Sequence, residues 1–193
     1  MTGEPDLLNA LTPVVEALDR LEIVYQLGGS VASSLHGMAR STMDIDLVAD
    51  LSEDKVAALV TSLSPGFYID GDMIREAIRD HSSFNVIHQS TMLKVDIFVP
   101  KDRAYDHEAL RRRRADSLDD SPGARKFFVA TPEDVILAKL EWYDRGGQTS
   151  KRQWSDVLGV LRVQGDALDL HYLKHWAEEL GLRDLLDDVL KDR

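Results

Sequence analysis

Leu27-Gly28-Gly29-Ser30-Val31-Ala32, followed by Arg40-Ser41-Thr42-Met43-Asp44-Ile45-Asp46-Leu47, is the stretch on which the fold turns. Ile23 to Leu27 is rich in strand formers and stops at two glycines. A small-residue turn and a short helix follow, with Ser30 as the expected cap and Gly37 as the stop. Asp44 to Ala49 then reads as a second strand. In extended chain, side chains at i and i+2 share a face, roughly 6.6 Å apart along the backbone. Asp44 and Asp46 are so spaced, and two such carboxylates can share divalent cations. The glycines leave backbone N–H groups open to a polyphosphate, and Ser30 adds a hydroxyl at a helix N-terminus. A phosphate cradle beside metal-binding acids is the equipment for handling a nucleoside triphosphate.

A third acid completes the pattern. Lys94-Val95-Asp96-Ile97-Phe98-Val99 is a strand-like run with Asp96 between two bulky apolar residues. An acid so flanked faces either solvent or a site. As a site residue it would serve as a third metal ligand or accept the proton of an attacking hydroxyl.

Outward from these runs the chain alternates helices and strands. Helices are expected near 6–21, 52–64, 72–79 and 103–114, with a strand pair at 84–88 and 93–99. Ser117 to Gly123 reads as loop and Arg125 to Ala130 as a last strand. Beyond it only helices are expected: one capped by Thr131 with Pro132 and Asp134, then 150–163, 170–180 and 182–191. The fold class is α+β, divided into a core over 1–120 and a helical C-terminal lobe over 121–193.

The 193 residues suit one domain or a core with an appended lobe, with 44% hydrophobic and 30% charged residues. There is no cysteine, which excludes disulfides and thiolate metal sites. No apolar run is long enough to cross a bilayer, and Met1 to Asp6 is unlike a secretory signal, so no membrane association and a cytoplasmic location are expected. The net charge of −11 argues against broad nucleic-acid binding, which needs clustered cations. Arg111-Arg112-Arg113-Arg114, with Lys101 and Arg103 upstream, is either a solvated helix face balanced by Asp116, Asp119 and Asp120 or a contact for RNA or phosphate. His171 and His175 are spaced i, i+4 but lack further ligands for zinc. Trp142, Trp154 and Trp176 are expected to pack between the C-terminal helices.

Gly29-Ser30, Asp44-Ile45-Asp46 and Asp96 together resemble the minimal nucleotidyltransferases of the DNA polymerase β-like superfamily. The longer string from Leu27 to Leu47 looks closer to the AbiEii-like branch, which includes toxins of bacterial toxin–antitoxin and phage-defence systems. Ile136-Leu137-Ala138-Lys139-Leu140 and Lys151-Arg152-Gln153-Trp154-Ser155-Asp156 look like that branch's downstream basic helices. The resemblance implies a mixed sheet flanked by helices, with a helical lobe closing one side. It implies transfer of a nucleoside monophosphate from an NTP such as ATP to an acceptor hydroxyl, with Mg²⁺ or Mn²⁺ held by Asp44, Asp46 and Asp96. Gly28, Gly29, Ser30, Arg40, Thr42, Lys139 and Arg152 would form the nucleotide-binding set. On their own, Lys139 is equally a lysine lying along an apolar surface, and Arg152 with Asp156 an i, i+4 ion pair. The acceptor stays open between a tRNA end, a protein side chain and a small molecule such as an aminoglycoside, and a toxin would have a cognate antitoxin as partner. The alternatives are an antibiotic-modifying enzyme of the same chemistry and a non-catalytic nucleotide- or partner-binding module.

Overall fold

Alternation along two central strands sets the architecture. In β2 (Ile45–Ala49), Ile45, Leu47 and Ala49 are fully buried while Asp46 and Val48 are half-buried. In β5 (Lys94–Phe98), Val95 and Ile97 are fully buried while Asp96 and Phe98 are half-buried. A strand places successive side chains on opposite faces, so one face of this sheet is a dry core and the other a polar cleft floor. The protein is described from a computed structural model, which covers residues 4–38, 44–119, 121 and 123–192.

Five further strands extend the sheet: β1 (Tyr25–Leu27), β3 (Phe67–Tyr68), β4 (Ser83–His88), β6 (Arg114–Ser117) and β7 (Lys126–Val129). Their order is β3-β4-β5-β2-β1-β7-β6. β2 runs parallel to β5 and antiparallel to β1, and β1 runs parallel to β7, so the sheet is mixed. β7, beyond residue 121, thus joins the same sheet as the glycine turn.

The dry face is covered by α1 (Glu4–Arg20), α3 (Val56–Leu63) and α4 (Gly71–Asp80), which bring Leu11, Leu18, Leu59 and Ile74 into one continuous apolar cluster with the strands. Truncating a fully buried side chain there, Leu47→Ala for instance, costs about 2–5 kcal/mol. The polar face is roofed by α2 (Gly29–His36), α6 (Pro132–Arg145) and α7 (Lys151–Gln164), with α5 (Ala104–Arg112) beside them. α8 (Leu170–Glu179) and α9 (Arg183–Lys191) pack behind α6 and α7.

Local chemistry explains the helix ends that matter. Thr131 caps α6: its hydroxyl accepts from the Asp134 N–H at 3.3 Å and donates to the Asp134 carboxylate at 2.6 Å, with Pro132 in the first turn. α2 starts two residues earlier than expected, with Gly28 rather than Ser30 in the capping position. At its other end α2 meets α7 backbone to backbone: a Cβ on Gly37 would lie 2.8 Å from the Val160 amide nitrogen and 2.9 Å from the Gly159 carbonyl carbon.

Two strands depart from the sequence expectation. β3 is two residues long. β6 takes Arg114 out of the expected helix, which ends at Arg112. Among the described residues it is an edge strand paired with β7, and its Arg-Ala-Asp-Ser sequence has no β-branched or aromatic residue to announce it.

Candidate active site

β1 delivers the chain to the glycine turn at the head of the cleft. The Gly28 N–H donates to the Asp46 carbonyl at 2.9 Å, continuing the β1–β2 ladder past Leu27. Gly29 follows in the left-handed region at φ +53°. A Cβ there would stand 1.8 Å from Asp46 Oδ2, so glycine is required both by the backbone and by the carboxylate against it.

Asp46 and Asp96 are register partners on the parallel pair β2 and β5. Neighbouring strands lie about 4.8 Å apart, so both carboxylates rise from adjacent points of one face. Asp44, just before β2, is the more exposed, its side chain 58% accessible. The electrostatics show the crowding. Burial pushes the Asp46 carboxyl above the usual aspartate range, and the charges of Asp96 and Asp44 push the same way. Lys139 and a hydrogen bond from the Ser30 backbone oppose it.

Cations surround this acidic centre. The Arg152 guanidinium donates to Ser30 Oγ at 2.9 Å and reaches Asp44 Oδ2 at 3.4 Å. Lys94 Nζ lies 2.8 Å from Asp96 Oδ2. The Lys94 ammonium is held above its ordinary pKa, first by its hydrogen bond to Asp96 and then, against partial desolvation, by the charges of Asp96, Asp44 and Asp46. Lys139 is buried and pairs with Asp156 across α6 and α7 at 2.7 Å, so it does not lie along an outer surface. Asp156 therefore bonds across the two helices as well as standing one turn from Arg152.

Gly28, Gly29, Ser30 and the three aspartates line one cavity of about 790 Å³, together with Lys139 and Arg152. That volume lies within the usual range of small-molecule sites, roughly 300–1,000 Å³. Arg40 and Thr42 lie outside the described residues. Among the described residues, no three His, Asp or Glu side chains stand close enough together to hold one metal ion as they are placed. The donor set nevertheless suits a hard dication: three carboxylates on one cleft, at least one destabilised by its neighbours' charge.

Lys94 escaped the sequence reading, although its i, i+2 relation to Asp96 was available. Gln26 also escaped it; two residues before Gly28, it is buried on the cleft floor. Trp142 stands half-exposed at the rim, edge-on to Phe98 at 5.8 Å. Trp154 packs on Tyr143, and Trp176 on Tyr105 and Tyr172, as expected of helix-packing residues. His171 and His175 are exposed.

Arg112 and Arg113 of the arginine run turn inward, while Arg111 and Arg114 stay exposed. Arg111 bonds Glu108, Arg112 stacks 3.7 Å over the Tyr172 ring and bonds Glu133, and Arg113 donates to the Leu110 carbonyl and lies over Phe128. Arg112 and Arg113 are thus held by Glu133, the Leu110 carbonyl and aromatic rings, while Arg111 pairs with Glu108 on an exposed helix face; Asp120 lies outside the described residues. No helix among the described residues is long and apolar enough to cross a membrane.

No protein-family model and no curated relative matches the chain. Solved structures do. An antigenic nucleotidyltransferase-like protein from Paracoccidioides brasiliensis superposes with a TM-score of 0.53 at 17% identity, covering 98% of this chain and 94% of that one. The antibiotic-resistance factor ANT(2'')-Ia matches with a TM-score of 0.54 at 15% identity, over 96% of this chain and 93% of that one. The same protein in complex with adenylyl-2''-tobramycin gives 0.52 at 14% identity, over 94% of this chain and 97% of that one. The fold is that of these nucleotidyltransferases.

Proposed function

We propose that this protein is a divalent-metal-dependent nucleotidyltransferase. It transfers a nucleoside monophosphate from an NTP to an acceptor hydroxyl and releases pyrophosphate. The observation that carries this reading is the register pairing of Asp46 with Asp96 beside the Gly28-Gly29-Ser30 turn. Asp44, Asp46 and Asp96 would hold Mg²⁺ or Mn²⁺, which when bound neutralises charge on the phosphates and polarises the attacking hydroxyl.

The chain's own groups account for the rest. The amides and hydroxyl of the Gly29-Ser30 turn bind the triphosphate at the N-terminus of α2, with Arg152 and Lys139 supplying positive charge. Gly28 supports them in the turn, and Arg40 and Thr42 complete the set on sequence grounds. The acceptor oxygen attacks the α-phosphorus, and the bond from that phosphorus to the bridging oxygen of the β-phosphate breaks, its electron pair leaving with pyrophosphate. Asp96 takes the hydroxyl proton.

The AbiEii-like string from Leu27 to Leu47 favours the toxin of a toxin–antitoxin pair, acting on a tRNA end or a protein and held by a cognate antitoxin. The likeness of fold to ANT(2'')-Ia and the net charge of −11 favour a second reading, modification of a small cationic antibiotic. Incubation with labelled NTPs, Mg²⁺ and total RNA, total protein or aminoglycosides distinguishes them. Label on tRNA or protein supports the toxin, and label on the drug supports the second reading. Equal labelling by Asp44→Ala/Asp46→Ala would remove the catalytic assignment.

A further inference from the structure

Two of the three carboxylates assigned to metal each have an oxygen turned toward a resident cation. Asp96 Oδ2 lies 2.8 Å from Lys94 Nζ, and Asp44 Oδ2 lies 3.4 Å from Arg152 Nη2. Both cations sit on long stems and are about half exposed, with side-chain accessibilities of 50% and 52%. They can therefore leave without disturbing the core. Lys94 and Arg152 together offset two of the three negative charges, so a dication arriving alone meets a site largely satisfied and must displace a partner from the oxygen it needs. A triphosphate arriving alone meets the carboxylates. When both arrive, the metal takes the carboxylates and the displaced cations face the phosphates, so every charge regains a partner.

We propose that Lys94 is a positioning residue that acts as a built-in counterion of Asp96, keeping affinity for the divalent cation low until a triphosphate is present and so coupling the two binding events. This rests on the nucleotidyltransferase reading. By linkage, whatever makes NTP improve metal binding makes metal improve NTP binding by the same factor. Lys94 is the cleaner half of the pair to test, because Arg152 also bonds Ser30 in the phosphate cradle.

The test is Mn²⁺ binding, read from the electron paramagnetic resonance signal of free Mn²⁺, with and without the α,β-methylene analogues of the four common NTPs. Wild type, Lys94→Met and Lys94→Arg are compared, with Lys94→Gln in place of Met should the apolar side chain perturb folding. Lys94→Met is expected to bind Mn²⁺ alone about tenfold more tightly than wild type, and the enhancement given by the analogue is expected to shrink by the same factor. Lys94→Arg, which keeps the charge, should behave as wild type. Unchanged Mn²⁺ affinity in Lys94→Met, in an enzyme that still transfers label, overturns the inference and leaves the transferase reading standing. A wild type that binds no Mn²⁺ with any analogue and transfers no label overturns both.

Discussion

Asp46 and Asp96 face the cleft from directly paired positions on β2 and β5, with the Asp46 carboxylate lying against Gly29. Their mutual repulsion adds to burial in holding the Asp46 proton, and a stability consequence follows. The folded-state pKa of Asp46 lies above its unfolded value, so the native state binds this proton more readily than the unfolded chain. Stability is therefore lost as pH rises from the ordinary aspartate range through the raised value. Asp46→Asn removes that loss. In metal-free buffer at neutral pH it should raise Tm by about 2–4 °C, the shift that roughly 1 kcal/mol gives a chain of this size. The gain should fade as pH drops below the aspartate range. Adding Mg²⁺ with an NTP analogue should raise the Tm of wild type but not of Asp46→Asn. Calorimetry across pH checks both.

Gly29→Ala tests the close approach. The new methyl would occupy the position of Asp46 Oδ2, and the backbone would hold alanine at φ +53°. The backbone cost is about 1 kcal/mol. The larger effect is on chemistry, because the Asp46 Cβ would also lie only 2.7 Å away, so that the backbone as well as the carboxylate must shift. Transfer should fall by about a hundredfold or more, the scale of a misplacement near 1 Å. Labelled transfer with a melting curve on the same sample separates the two effects.

Lys139 and Asp156 are both nearly buried, with side-chain accessibilities of 6% and 9%. Lys139→Met alone leaves the Asp156 charge buried without this partner, and should destabilise by about 3–5 kcal/mol. Lys139→Met/Asp156→Leu removes both charges and should recover most of that loss. If Lys139 also serves the triphosphate, the double variant keeps a raised KM for NTP despite its recovered stability. Denaturant titration alongside steady-state kinetics reads the difference.

Behind the cleft wall, Tyr172 donates its phenol hydrogen to Asp134 at 2.7 Å within a buried group that includes Thr131 and Arg112. Tyr172→Phe leaves a buried carboxylate short of one donor and should cost about 1–3 kcal/mol. Transfer activity, measured well below the melting range, should stay within about twofold, because the hydroxyl holds α8 to α6 and not a substrate.

The site was legible in sequence where chemistry and periodicity coincide. A glycine turn after a strand and acids at i, i+2 announce themselves locally, as does Thr131 with Pro132 at the head of α6. What relates Asp46 to Asp96 is the parallel pairing of strands far apart in the chain, and strand order is not encoded in any short window. The same holds for Lys139, whose partner Asp156 sits on the next helix, and for Arg112, which leaves a run of four arginines to lie on Tyr172. β6 went unread because its polar residues satisfy an exposed edge and not a core.

Gly37 brings the end of α2 against the α7 backbone with no room for a methyl group between them. The helix that starts at the glycine turn and the helix that carries Arg152 therefore meet at backbone contact, and a side chain at position 37 would push them apart. Arg152, half exposed on that helix and bonded to Ser30 and Asp44, can change partners by rotating its own side chain, a motion that exposed groups complete in picoseconds to nanoseconds, without moving either helix.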